Sequence, residues 1–173
     1  MAGANFNQFL TRHLLRRRAG VLQLAALVPL FPLLGFLLNG FFGKRLSKAV
    51  SGTVACAAIL ASFILSVGIF IELQQSTQKT NIVEVYRWIS SGTLEIPFEL
   101  LIDPLSAVFM LIITGIGFLI HVYSIGYMHN DNGFARFFTY LNLFVFFMLL
   151  LVMANNYVLT FVGWEGVGLC SYL

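Results

Sequence analysis

Apolar residues dominate five stretches of this chain, and polar residues gather between them. The first stretch, from about Val21 to Gly43, predicts a membrane-length helix kinked near Pro29 and Pro32. The second, from about Ala49 to Leu73, is rich in small residues, and both meet the roughly 20-residue requirement of a hydrocarbon core. A third runs from about Pro104 to Met128, and a Phe-rich fourth from about Phe137 to Ala154. The fifth opens near Asn156 and is still apolar at Leu173, as expected of a truncated chain or one piece of a longer protein.

Residues 74–103 differ in kind. Leu94, Ile96, Phe98 and Leu100 alternate with Glu95, Pro97 and Glu99, the period of a half-exposed strand. Residues 82–89 can form its partner, and Ser90-Ser91-Gly92-Thr93 supplies a turn. Pro97 confines its strand to a sheet edge. The expected architecture is an all-α membrane protein of about five transmembrane helices. Its parts are a basic tail (1–20), two helices (21–73), an extramembrane loop with a β-hairpin (74–103), and three helices (104–173), the last cut short.

Composition supports a bilayer protein, because 59% of residues are hydrophobic and only 10% are charged, against about a quarter in soluble domains. The net charge of +3 sits in short clusters flanking the apolar runs, which suits lipid headgroups and excludes a nucleic-acid footprint. The tail arginines Arg12, Arg16, Arg17 and Arg18 precede an apolar run too long for a signal peptide, so that run is expected to stay as a helix. Lys44, Arg45, Lys48 and Arg136 flank the short loops, opposite the tail arginines, Lys79 and Arg87. Without the tail, the positive-inside rule makes the short loops cytoplasmic. Cys56 and Cys170 lie inside apolar runs with no CxxC and no nearby histidine, and read as packing residues rather than metal ligands.

One residue stands apart. Glu165 lies inside the fifth run, with Gly163, Gly166 and Gly168 around it. A carboxylate near a bilayer centre costs about 2.5–3.5 kcal/mol on insertion scales, so it is a functional hypothesis by default. Helical spacing puts Phe161, Val162, Gly168, Leu169 and Tyr172 on its face, and small residues let membrane helices approach closely. The expectation is a packed, protein-facing acid, with a protonated structural Glu as the plainer alternative. His121, beside Tyr123 and Ser124 in the third run, is either a proton relay or a hydrogen-bonded structural residue. Asp103 before Pro104 reads as a helix cap, and Arg136 as an interface anchor. Tyr140 and Asn142 are candidates for bridging helices, and Trp164 for packing.

Four motifs go further: Leu101-Ile102-Asp103-Pro104-Leu105-Ser106, the run from Thr114 to Ser124, the run from Arg136 to Phe144, and Gly163-Trp164-Glu165-Gly166-Val167-Gly168-Leu169-Cys170-Ser171-Tyr172-Leu173. Together they resemble the L-type antiporter-like membrane subunit of the proton-pumping NADH:quinone oxidoreductases, respiratory complex I, whose mitochondrial counterpart is chain 5. The resemblance is specific from about Trp88 onward and holds only in pattern from Val21 to Leu73. It implies that Glu165 transfers protons and forms an intramembrane ion pair with a lysine two helices later, beyond the sequence given. The ionisation of such an acid responds to whether an ammonium stands beside it. It also implies a possible relay role for His121.

The function expected is the N-terminal part of a proton-translocating membrane-arm subunit in an energy-transducing membrane, the bacterial inner (plasma) membrane. No cofactor is expected in this chain, the NADH, flavin, iron–sulfur and quinone sites lying in other subunits, and no catalysis from the chain alone. Expected partners are other membrane-arm subunits, the lipid bilayer and protons. A sodium/proton antiporter large subunit is the alternative, disfavoured by the residues after Trp164-Glu165. A haem anchor needs paired axial ligands, and only His121 lies well inside a span. A non-transporting fragment with a structural role is the remaining reading.

Overall fold

A computed structural model describes residues 21–43, 45–91 and 94–173. The basic tail 1–20 with Arg12 to Arg18, Lys44 of the first loop, and the Gly92-Thr93 part of the expected turn lie outside the described residues.

The chain enters through a 3-10 segment, Val21–Ala26, that leads into α1, Leu27–Phe42. The helical assignment runs through both prolines, with the 3-10 stretch ahead of α1. Pro29 falls in the first turn, where a missing N–H has little cost. Pro32 lies deeper and leaves the Val28 carbonyl without its helical donor.

The next helix, α2, spans Lys48–Gln75, with the Ser47 hydroxyl accepting from the Val50 N–H at its start. At its far end Lys79 donates to the Leu73 and Gln74 carbonyls, two of the four that a helix C-terminus leaves open. Glu72 reaches across and accepts from the Leu22 N–H at 3.0 Å, serving the 3-10 segment in the same way.

The expected hairpin forms, as β1, Asn81–Ser91, and β2, Leu94–Ile102, paired antiparallel. Register irregularities fall between Glu84 and Tyr86 and between Arg87 and Ile89, next to the Arg87–Pro97 pair. In a two-stranded sheet both strands are edges, so Pro97 is tolerated. Leu100 and Ile102 are fully buried in the core with Leu73, Leu149, Met153 and Leu159, so the hairpin is seated on the end of the helix bundle.

Three helices complete the chain: α3, Pro104–Tyr127; α4, Phe134–Met153; and α5, Tyr157–Tyr172. Asp103 caps α3 as expected, in a reciprocal box with Ser106: its carboxylate accepts from the Ser106 N–H at 2.7 Å, and the Ser106 hydroxyl accepts from the Asp103 N–H at 2.9 Å. Asn156 caps α5 by accepting from the Leu159 N–H. The bundle is built from α1 on α4 and α2, α2 on α3, and α5 on α4.

Four helical stretches are long and apolar enough to cross a membrane: residues 21–42 and helices α2, α3 and α4. The fifth, α5, has 16 residues and is shorter than those four. The chain is a mostly helical, multi-pass membrane protein with a β-hairpin between its second and third spans.

Candidate functional site

Glu165 stands about midway along α5, two turns from either end. Among the described residues, no other acid lies so far inside an apolar helix: Glu72 is in the last turn of α2, and α1, α3 and α4 contain none.

The glycines around it act on two faces. Gly163 and Gly166 are buried and set the contact with α4. A Cβ at Gly163 would stand 2.7 Å from the Leu151 backbone nitrogen, and one at Gly166 would clash with the Phe147 ring. These positions allow the close approach expected of small residues between membrane helices. Glu165 is two residues from Gly163, about 200° around the helix, and points away from that contact. It is exposed, beside Phe161 (62% exposed) and Leu169 (50%). Gly168 on the same side has nothing within 4 Å of its would-be Cβ.

Among the described residues the acid is therefore left exposed rather than packed. The glycines that pack, Gly163 and Gly166, serve the α4 side of the helix, about 200° and 100° around from Glu165. The one glycine on its own face leaves an unfilled notch. Trp164, 67% exposed, packs on no neighbouring helix to any large extent.

His121 is in a different setting. It is fully buried on α3, its ring 6.1 Å from that of Phe138. Nδ1 lies 2.7 Å from the Gly117 carbonyl one turn earlier. A carbonyl can only accept, so Nδ1 carries a proton and donates. Nε2 is buried and has no hydrogen-bond partner among the described residues. The ring also lines an apolar groove between α3 and α4, with Ile116, Leu141 and Phe144. The structure does not bring His121 and Glu165 together: the histidine bonds within α3, and α5 packs chiefly on α4.

Of the expected bridges, Asn142 is buried but turns inward, its amide donating to the Phe138 carbonyl of its own helix. Its Oδ1 has no partner among the described residues and sits in the notch left by Gly35 of α1. One bridge that forms between α1 and α2 was not anticipated. Ser51 of α2 donates to Asn39 Oδ1 at 2.9 Å, and Asn39 of α1 returns a bond to the Ser51 carbonyl at 3.3 Å. An asparagine and a serine in apolar runs on either side of one short loop were the available signal. No group of three or more His, Cys, Asp or Glu side chains is placed to hold a metal among the described residues.

Residues 88–138 match the family described as NADH-Ubiquinone oxidoreductase (complex I), chain 5 N-terminus. NADH-quinone oxidoreductase subunit L of Mycobacterium tuberculosis (strain ATCC 25618 / H37Rv) is 48% identical over 134 residues, covering 76% of this chain and 21% of that protein. The subunit L of Escherichia coli (strain K12) is 39% identical over 152 residues, 88% of this chain and 25% of that one. Among solved structures, a chain of the membrane-bound sulfane sulfur reductase, an archaeal respiratory membrane complex, superposes with a TM-score of 0.74. It is 18% identical, over 87% of this chain and 29% of that one, and so shows the fold alone. This chain spans about a quarter of the length of the curated relatives it matches. The spans and the bacterial relatives make it a multi-pass protein of the bacterial inner membrane. Its sequence belongs to the antiporter-like subunit L and chain 5 family of the NADH-quinone oxidoreductases, within the N-terminal region of that family.

Proposed function

We propose that this chain forms the N-terminal part of a proton-translocating membrane-arm subunit of an NADH:quinone oxidoreductase, with Glu165 as a proton-transferring group. The observation that carries this reading is the position of Glu165: mid-helix, on an apolar face, with an open notch at Gly168. Facing lipid, such an acid costs about 2.5–3.5 kcal/mol on insertion scales when charged. Facing a basic helix from the part of the relatives that this chain does not span, its charged form is stabilised, and withdrawal of the cation favours the protonated form. Switching between those states moves a proton.

His121 is a second group able to hold a proton, since its Nδ1 is committed to Gly117 and its Nε2 is unpartnered among the described residues. This chain contributes no redox chemistry of its own. NADH, flavin, iron–sulfur and quinone chemistry belong to other subunits, whose membrane-arm members are its partners.

The test is Glu165→Gln in the intact oxidoreductase, reconstituted in vesicles with a pH-sensitive dye. Proton translocation per NADH oxidised falls, while the subunit remains inserted and assembled. Unchanged translocation contradicts the role given to Glu165.

A further inference from the structure

Among the described residues, the two ends of the bundle carry opposite charge. The α1–α2 and α3–α4 loops and the helix starts that follow them hold Arg45, Lys48 and Arg136 against one acid, Asp131. The hairpin end holds Glu72, Glu84, Glu95, Glu99 and Asp103 against Lys79 and Arg87. A cleft of about 730 Å³ opens at the basic end, between the start of α2, the start of α4 and the end of α1.

Its floor is the buried Asn39–Ser51 pair, already satisfied by its own hydrogen bonds. Lys48, Arg136, Asn132 and Tyr140 stand around it as donors. Lys48 donates to the His129 carbonyl at 3.0 Å, which leaves further ammonium protons free. The ion pair found among the described residues is Arg87–Glu84 in the hairpin, so neither Lys48 nor Arg136 has an acidic partner there. Lys48 is the first residue of α2 and Arg136 the third of α4, which sets both at the headgroup level of their spans. Phe41 (77% exposed) and Phe42 (50%), at the end of α1 nearby, present apolar surface suited to acyl chains. The cleft at the hairpin end, about 460 Å³, is lined by Glu72 and, among the described residues, by no basic residue, while Arg87 in a smaller hairpin cleft stands among Glu84, Glu95 and Glu99.

We propose that the cleft at the basic end binds the phosphodiester of an anionic phospholipid, with Arg136 and Lys48 as its cationic ligands. A guanidinium matches phosphate oxygens in a planar fork and an ammonium adds a point charge. Basic pockets between transmembrane helices on the cytoplasmic side suit such headgroups. The site is independent of Glu165, which lies on another helix.

Native mass spectrometry of the chain in mild detergent, titrated with phosphatidylglycerol, phosphatidylcholine or inorganic phosphate, tests it. One phosphatidylglycerol is retained in preference to phosphatidylcholine, and inorganic phosphate does not displace it. With roughly 1 kcal/mol per basic residue, Lys48→Gln/Arg136→Gln weakens retention by about thirtyfold. Lys79→Gln/Arg87→Gln, with the same charge removed at the hairpin end, retains the lipid, and so does the charge-conserving Lys48→Arg/Arg136→Lys. Equal retention of the two lipids by the unaltered chain overturns the proposal whether or not the variants fold. Equal loss in the two charge-removed variants, or phosphate binding that displaces the lipid, overturns it as well.

Discussion

The Ser62 hydroxyl of α2 donates to the Val28 carbonyl of α1 at 2.6 Å, and Val28 is the residue whose carbonyl Pro32 leaves without a helical donor. Both Ser62 and Val28 are fully buried. A side chain on one membrane helix thus supplies the hydrogen bond that a proline removes from another, as buried backbone groups in a bilayer require.

That pairing predicts a coupling between two substitutions. Ser62→Ala leaves a buried acceptor unsatisfied and destabilises the chain by about 1–3 kcal/mol. Pro32→Ala restores the backbone donor, so Ser62→Ala costs much less in that background. Thermal unfolding of the four proteins in one detergent measures the cycle, and additive effects contradict the assignment.

Asn156 makes two bonds with one amide. Its oxygen accepts from the Leu159 N–H to cap α5, and its nitrogen donates to the Pro97 carbonyl of β2 at 2.8 Å. Asn155 adds a bond from its amide to the Glu99 carboxylate at 2.7 Å. Asn156→Asp keeps the cap and loses the donor, so amide exchange rises in β2 while α5 stays protected. Asn156→Ala loses both and raises exchange in both elements, at a cost of about 1 kcal/mol for the cap. Identical exchange patterns in the two variants contradict this division.

The spans, the hairpin and the Asp103 cap were legible in the sequence because each rests on local rules. Period two marked β2, and Asp103-Pro104 placed the start of α3. The direction Glu165 faces was not legible. Gly163 and Gly166 mark a packed face by composition, but which side of α5 meets α4 depends on how Leu151 and Phe147 fit into their notches. The same holds for Ser62 with Val28 and for Glu72 with Leu22, which are 34 and 50 residues apart and meet only through packing. His121 was marked by its type and by the family resemblance, and its bond to Gly117 selects neither the relay nor the structural reading.

The central claim is that the Glu165 face of α5 is covered by protein in the working assembly. A nitroxide at Leu169→Cys, with Cys56 and Cys170 replaced, reports oxygen collisions from the lipid phase on that face, and one at Leu119→Cys on the exposed side of α3 serves as reference. In the isolated chain both labels are open to oxygen. In the assembled oxidoreductase the account predicts that access at residue 169 falls well below that at residue 119. Equal, high oxygen access at residue 169 in both preparations would place the acid's face in lipid and contradict it.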